Sequence, residues 1–251
     1  MHRPTSCITK SIDKLRIIDY FSINRNSSIS YRVLDDIIYS CTKQGFLVLE
    51  NHLVDTSLLK DCYTASNLFF DLPKDNKEKY SYLKSDQKKF SNVGYFHLFS
   101  EIALGAEYPD NKEFFHIGPK ITGKHPLYKV CANNIFPEEI VSFESNYTNL
   151  YKSLQDIGNT TLLAIASAFN LDKNYIEKLI KFGNSVLRVV NYPENKGLGL
   201  GMRAAPHTGI QLLGIQPPAT DRGLELFSQG EWIEISPKLI IIIFRWPEEI
   251  S

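Results

Sequence analysis

The sequence lacks the features that mark membrane, secreted and nucleic-acid-binding proteins. It contains no run of about 18 apolar residues, the length that can cross a bilayer. Its first residues, Met1 to Lys14, lack the apolar stretch of a secretory signal. Lys and Arg together number 28, as do Asp and Glu, so no net charge draws the chain to nucleic acid or to an anionic membrane. We therefore predict a cytoplasmic monomer that binds neither nucleic acid nor membranes.

Cysteine is also scarce. The four cysteines, Cys7, Cys41, Cys62 and Cys131, form no C-x-x-C pair, and none pairs locally with a histidine. In a chain without an export signal they are expected to be reduced thiols that pack in the interior. The pattern does not predict a zinc site.

No internal repeat or low-complexity linker interrupts the 251 residues, which suffice for one sizeable core, or for one core with an added helical layer. In the first half, apolar spacing predicts helices and β-prone runs predict strands. The helices are Tyr31–Gln44 and Thr56–Phe70, and the strands are Leu15–Asp19 and Phe46–Glu50. Residues 74–129 are irregular in pattern, and we expect loops and short pieces there.

The character of the chain changes in its second half. Pro137 opens a long helical region that runs to about Asn170, and a shorter helix follows from about Lys173 to Phe182. Short β-rich runs separated by Gly, Pro and Asp then predict an antiparallel sandwich or barrel. These runs are Val186–Tyr192, Leu212–Ile215, Gly223–Phe227, Glu231–Ile235 and Leu239–Phe244.

His207 is the main candidate for a functional residue. It lies in a loop, Ala205 to Gly209, that leads into a predicted strand. A histidine in a loop is more often structural or simply exposed than a metal ligand, but its neighbourhood favours a ligand. Asn191-Tyr192-Pro193, a glycine-rich loop (Gly197, Gly199, Gly201), Gly223-Leu224-Glu225 and Gly230-Glu231-Trp232-Ile233 surround it in that order.

The N-terminal half carries a second ordered series of motifs. These are Gly45-Phe46, Asn51-His52, Phe69-Phe70-Asp71-Leu72-Pro73 with Lys77, Gly94-Tyr95, Asp110-x-Lys112-Glu113-Phe114-Phe115 and Asn134-Ile135-Phe136-Pro137. Together the two series resemble the isopenicillin-N-synthase-like, non-haem Fe(II) and 2-oxoglutarate-dependent oxygenases from about Leu15 onward. No single motif is specific; the resemblance rests on their order and spacing.

The resemblance implies a fold and a chemistry. The fold is α+β, with a double-stranded β-helix (jelly roll), a long backing helix, an α/β N-terminal region and the last barrel strands missing. By this resemblance residues 1–14 are a tail, residues 15–130 the N-terminal region, and residues 131–251 the long helix with an incomplete β-helix. In the family, two histidines and one carboxylate hold Fe(II) and leave room for 2-oxoglutarate and O₂, which together oxidise a small organic substrate.

Matched position by position, the expected iron site is incomplete. His207 stands at the first-histidine position, but Gly209 stands at the carboxylate position, and no histidine follows His207. The distal histidine and the Arg-x-Ser pair that grips 2-oxoglutarate would fall beyond Ser251. Tyr192, and with less support Asn191, match positions that touch co-substrate or substrate in relatives. Tyr192 serves equally well as a packing residue at a strand end. The sequence predicts no catalytic residue beyond the metal site.

Substrate contacts are expected from two loops, Ser81–Phe99 and Gly197–Ala205. Four aromatic residues near the first, Tyr80, Tyr82, Tyr95 and Phe96, either line a pocket or only pack.

Three interpretations remain open at this stage. The chain is a working oxygenase with an unusual site, since some related iron halogenases replace the carboxylate with a small residue. Alternatively it is a truncated or degenerate copy, inactive and either retained as a binding scaffold or without function. The third interpretation is an unrelated β-rich binding module. The missing acid and distal histidine favour the second, because one imidazole is a poor Fe(II) site.

Overall fold

The computed structural model describes residues 15–24, 28–84, 89, 92–194, 201–209 and 211–244. The helices in this part of the chain are α1 (Tyr20–Ile23), α2 (Tyr31–Tyr39), α3 (Thr56–Phe70), α4 (Lys74–Glu78), α5 (Phe143–Ala168) and α6 (Lys173–Ile180). The strands are β1 (Ile17–Asp19), β2 (Phe46–Glu50), β3 (Gly94–Phe96), β4 (Glu113–Ile117), β5 (Leu187–Asn191), β6 (Leu213–Gln216), β7 (Glu225–Ser228), β8 (Glu231–Glu234) and β9 (Ile240–Phe244). No helix among the described residues is both long and apolar enough to span a membrane.

The first helices are set by local capping. The Ser30 side chain accepts a hydrogen bond from the backbone of Val33 at the start of α2, and Asp55 caps α3 through Ser57. Helix α2 continues as a π turn, Ser40–Gln44, and ends at Gly45. Gly45 has φ +91°, a left-handed conformation that favours glycine at this position. The predicted helices and the strand at Phe46–Glu50 are thereby confirmed.

The chain divides into two compact units, neither of which is a continuous segment. Unit 1 takes in the described parts of residues 1–54, 153–180 and 208–251. Unit 2 takes in the described parts of residues 55–152 and 181–207. The division into residues 1–14, 15–130 and 131–251 stays a prediction.

Unit 1 contains a four-stranded sheet in the order β1-β2-β9-β6. Strand β1 runs parallel to β2, and the other neighbours are antiparallel. Strands β2 and β9 lie at the centre and carry a continuous apolar run, as fully buried strands do. The β7–β8 hairpin packs Ile233 and the following Ile235 against Phe46, Val48 and Ile241.

The long helix α5 is shorter at its N-terminus than predicted, because turns occupy residues 137–142. It buries a stripe at three- and four-residue spacing, as a helix packed along one face does. The stripe includes Phe143, Tyr147, Leu150, Leu154 and Ile157. Within unit 1, Gly158 lets β6 pack closely, since a Cβ there would lie 2.8 Å from Cδ1 of Ile215.

Unit 2 contains a three-stranded antiparallel sheet in the order β3-β4-β5. The expectation of only loops and short pieces between residues 74 and 129 was wrong at its centre, because β4 is the middle strand and is buried throughout. Its sequence, Glu-Phe-Phe-His-Ile, does not show the alternation of polar and apolar residues that usually indicates a strand. The polar members are buried because they find partners inside the unit.

An aromatic core supports the back of this sheet. Phe69 of α3 makes edge or tilted ring contacts with Phe70, Tyr80, Tyr95, Phe115 and Phe143. Such edge-to-face contacts are favourable for aromatic rings. Tyr80 and Tyr95, which the sequence left open as pocket or packing residues, are therefore packing residues of this core.

The cysteines that the structure describes, Cys41, Cys62 and Cys131, are buried free thiols. Burial raises the pKa of Cys41 and of Cys62 to about 12. Such thiols are protonated at neutral pH and unreactive, which agrees with the packing role predicted for them. Cys7 lies outside the described residues.

Candidate functional site

The His207 loop belongs to unit 2 and is held by the segment just before β4. The backbone N–H of Ala205 donates to Oδ1 of Asp110 (2.9 Å). The neighbouring Asn111 donates from its backbone to Met202 O (2.7 Å) and from its side chain to Gly201 O (2.6 Å). A Cβ at Gly201 would lie 2.0 Å from Pro109 O, so glycine is required for this close approach. Three hydrogen bonds therefore fix the path of the loop.

His207 itself is exposed and has one internal partner. Its Nδ1 lies 2.8 Å from the carbonyl oxygen of Ala205, so Nδ1 carries the proton of this hydrogen bond and Nε2 is the nitrogen left to bind a metal. Metal-binding histidines commonly donate one ring N–H to a backbone carbonyl in this way and bind through the other nitrogen. The geometry fits the role predicted for His207 as a single ligand.

Position 209, where the resemblance expects a carboxylate ligand, is a glycine. At Gly209 an added Cβ would meet only the side chain of Gln211, at 2.9 Å from Nε2. Among the described residues, no group of three or more His, Cys, Asp and Glu side chains is placed to hold a metal ion. The described residues alone therefore do not fit a complete iron centre, and the role of His207 as a ligand stays a prediction.

Beneath the loop lies a network of charges in which Asp110 and Lys112 are buried and Glu101 and Arg188 are partly exposed. Nζ of Lys112 is 2.8 Å from Asp110 and 2.6 Å from Glu101. Glu101 in turn forms two hydrogen bonds with the guanidinium of Arg188 (2.9 and 3.1 Å). Burial alone raises the pKa of Glu101, but hydrogen bonds from Arg188 and Lys112 outweigh it and bring the pKa to about 2. Two cations and two anions thus neutralise one another.

His116 completes this network. Its Nε2 accepts a hydrogen bond from Nε of Arg188 (2.7 Å), and its Nδ1 donates to Asn92 O (2.8 Å). Burial, followed by the charge of Arg188, lowers the pKa of His116 to about 4. The imidazole is therefore neutral at physiological pH and acts as a fixed acceptor for Arg188.

The register of the sheet places Tyr192 on the same side as this network. Phe114 pairs with Val190 and His116 with Arg188, so these residues point to one face. Tyr192 directly follows β5, and alternation puts its ring on that face as well. Desolvation raises the pKa of Tyr192, and the charges of Lys112, Asp110, Arg188 and Glu101 also act on its hydroxyl. Its ring is 42% exposed.

Asn191 points to the opposite face. Its side-chain amide donates to Glu113 (2.9 Å), which also accepts from Lys77 (2.8 Å) and Tyr95 (2.6 Å). This buried carboxylate is fully hydrogen-bonded and holds β5 to β4. A co-substrate contact by Asn191 stays a prediction, since its amide is already engaged in this cluster.

Sequence reasoning missed the network because its members are far apart in the chain. Asp110 and Lys112 belong to the Asp110-x-Lys112-Glu113-Phe114-Phe115 motif. Nothing in the sequence links them to Glu101, His116 or Arg188. Arg188 lies 87 residues from Glu101. One usable signal was the arginine in the β-rich run Val186–Tyr192, since charged residues that a fold partly covers are normally paired.

Comparison with known proteins decides the family. A family model described as "non-haem dioxygenase in morphine synthesis N-terminal" matches residues 15–139. The fold is that of a 2OG-Fe(II) oxygenase family protein from Caulobacter crescentus, with a TM-score of 0.75, 27% identity, and coverage of 92% of this chain and 73% of the other. The chain belongs to the 2OG-Fe(II) oxygenases. The predicted family and its jelly-roll fold class are confirmed.

Further comparisons agree with membership of the oxygenase family. A full-length Neurospora crassa protein, solved in complex with alpha-KG, has a TM-score of 0.74 at 22% identity, over 92% of this chain and 72% of that one. A 2-oxoglutarate-Fe(II) type oxidoreductase of Aspergillus fumigatus is 24% identical over 78% of this chain and 60% of its own length. Gibberellin 20 oxidase 2 of Arabidopsis thaliana is 22% identical over 80% and 52%.

The cofactors of these relatives are those that the resemblance implied, Fe(II) and 2-oxoglutarate. The chain spans 60% and 52% of the two curated relatives' own lengths.

Proposed function

We propose that the chain provides the substrate-facing scaffold of an Fe(II)- and 2-oxoglutarate-dependent oxygenase for a small organic molecule, and that it does not complete the iron centre by itself. The observation that carries the proposal is that the described residues contain no group of three or more His, Cys, Asp and Glu side chains that could hold a metal ion. The glycine at position 209, where the family places an acid, agrees with it.

Each side chain of the scaffold has a definite task in this proposal. His207 offers Nε2 to a metal, and Asp110 holds the backbone that orients it. Tyr192 presents its hydroxyl beside the charge network and touches the co-substrate. When bound, iron and 2-oxoglutarate supply the oxidising chemistry of the family. The protein contributes position and the exclusion of water.

A working dioxygenase is the second candidate. The observation in its favour is the tautomer of His207, whose free Nε2 matches that of a metal-binding histidine. It requires further ligands from positions that the described residues do not provide.

Turnover separates the two candidates. Purified chain is incubated aerobically with Fe(II), ascorbate and 2-oxoglutarate, and succinate is measured against the His207→Ala variant. The assay follows the co-substrate, 2-oxoglutarate, so it is set up without an identified substrate. We expect equal succinate from both proteins. Succinate formation that depends on His207 overturns the proposal and supports the working enzyme.

The monomeric state and the cytoplasmic location stay proposals that rest on the sequence. The balance of 28 cationic and 28 anionic residues supports the first, because it gives no net charge that would draw in a partner of opposite charge. Light scattering of the purified chain tests the monomeric state.

A further inference from the structure

One face of the β3-β4-β5 sheet carries a stack of planar groups. The Tyr82 and Phe96 rings are parallel with centroids 4.1 Å apart, and Phe96 stacks on Phe114 at 4.6 Å. The guanidinium carbon of Arg188 lies 4.2 Å from the Phe114 centroid, over the ring. His116 tilts against the edge of the stack, 4.7 Å from Phe96. Four flat groups therefore lie one above another.

The Arg188 end of the stack is partly exposed to solvent. Phe114 is 2% exposed, whereas the Arg188 side chain is 36% exposed. One face of the guanidinium covers Phe114, and three of its five N–H groups are used by Glu101 and His116. Among the described residues the other two N–H groups have no partner, and the side chain is partly exposed. An aromatic ring with a carbonyl group would extend the stack and accept a hydrogen bond.

The surrounding charges select against an anion. The positive charge of Arg188 is already neutralised by Glu101, and that of the nearby Lys112 by Glu101 and Asp110. His116 is a hydrogen-bond acceptor at Arg188, and its lowered pKa keeps it neutral. A carboxylate placed against Arg188 would therefore meet the half-exposed Glu101 as a like charge, which is costly.

We propose that the exposed guanidinium face of Arg188 is a substrate subsite for an uncharged planar ring that bears a carbonyl, and that Glu101 makes the subsite reject carboxylates. The proposal rests on the proposed function in one respect, that Tyr192 on the same strand face contacts the co-substrate. Extended spacing separates Arg188 and Tyr192 by about 13 Å along the strand, with the small Val190 between them.

The test uses an isosteric pair of probes, benzamide and benzoate. Binding to the metal-free full chain is measured by ligand-observed NMR titration, without iron or 2-oxoglutarate. Failure of the iron proposal therefore leaves this result untouched. We expect benzamide to bind at least about tenfold more tightly than benzoate. In Glu101→Gln, benzoate binding is expected to strengthen and the ratio to fall at least about fivefold.

Two further variants sharpen the test. Glu234→Gln is the matched control, because Glu234 of the β7–β8 hairpin also accepts two hydrogen bonds from one arginine, Arg222 (2.8 and 2.9 Å). It should leave the ratio unchanged. Arg188→Gln removes the flat cation and should weaken benzamide binding about threefold or more.

Several results overturn the proposal. They are benzoate binding as tightly as benzamide to the wild type, an unchanged ratio in Glu101→Gln, an equal fall in Glu234→Gln, or no saturable binding of either probe. If Glu101→Gln does not fold, the wild-type ratio and Arg188→Gln decide the question.

Discussion

At the scale of single residues, His116 links charge to stability. Its pKa is lowered from 6.5 to about 4, so the folded protein resists protonation that the unfolded chain accepts. This contribution to stability is fully present above pH 6.5 and is lost as the pH falls from 6.5 towards 4. The shift corresponds to about 3 kcal/mol.

Substitution by glutamine tests this assignment. In His116→Gln, an amide can still accept from Arg188 and donate to Asn92, but it does not titrate. Urea unfolding at pH 7 and pH 4.5 should show a smaller loss of unfolding free energy for the variant than for the wild type. His97→Gln, at an exposed histidine, is the control. Equal pH dependence in wild type and His116→Gln would show that the imidazole is not buried as described.

Gly209 stands where the family resemblance expects the carboxylate ligand of Fe(II). It shows no left-handed φ, and the nearest atoms that an added Cβ would meet belong to the Gln211 side chain, with Nε2 2.9 Å away, so that side chain has to shift to accommodate one. Gly209→Asp places an oxygen ligand two residues from His207. We expect Fe(II) affinity to rise at least about tenfold, since carboxylate is a preferred ligand of Fe(II). Gly209→Asn keeps the shape without the charge; an equal gain in that variant would contradict a ligand role.

At the scale of elements, the 201–207 loop depends on Asp110. This carboxylate is buried and joins the Ala205 N–H to Lys112. Asp110→Asn leaves Lys112 with Glu101 alone and should lower the unfolding free energy by about 2 kcal/mol. Hydrogen exchange at the Ala205 amide should quicken more than at the amides of β4. Asp172→Asn, at the exposed cap of α6, is the control, because asparagine caps a helix as well as aspartate. No local change in exchange would remove Asp110 from its positioning role.

The elements also show where sequence reasoning succeeds. Helix α3 and strand β2 were predicted to the residue, because Asp55, Gly45 and Pro73 mark their ends with local chemistry. The β-rich runs after residue 186 all became strands, with ends shifted by one or two residues. Strand β4 was missed, since its buried Glu113 and His116 become acceptable only through partners distant in sequence.

The site was predictable only in part for the same reason. Tyr192 and His207 are candidates from the order of the motifs, and their roles stay predictions. Glu101, Lys112 and Arg188 were not candidates, because a charged residue in a sequence gives no indication of its partner. Asp110 and Lys112 were visible in a motif, but their contact with the His207 loop depends on tertiary structure.

At the scale of the whole molecule, the family scaffold and the family chemistry separate. The fold is that of a 2OG-Fe(II) oxygenase, while the described residues contain no group of three or more His, Cys, Asp and Glu side chains that could hold a metal ion. We therefore propose that Fe(II) binding is the property in which this chain differs from its relatives.

Anaerobic titration of the chain with Fe(II) in the presence of 2-oxoglutarate tests this directly. A chelated centre gives a weak visible charge-transfer band. We predict no saturable band up to millimolar iron, with wild type and His207→Ala indistinguishable. A band that saturates at one equivalent of iron and disappears in His207→Ala would contradict the account.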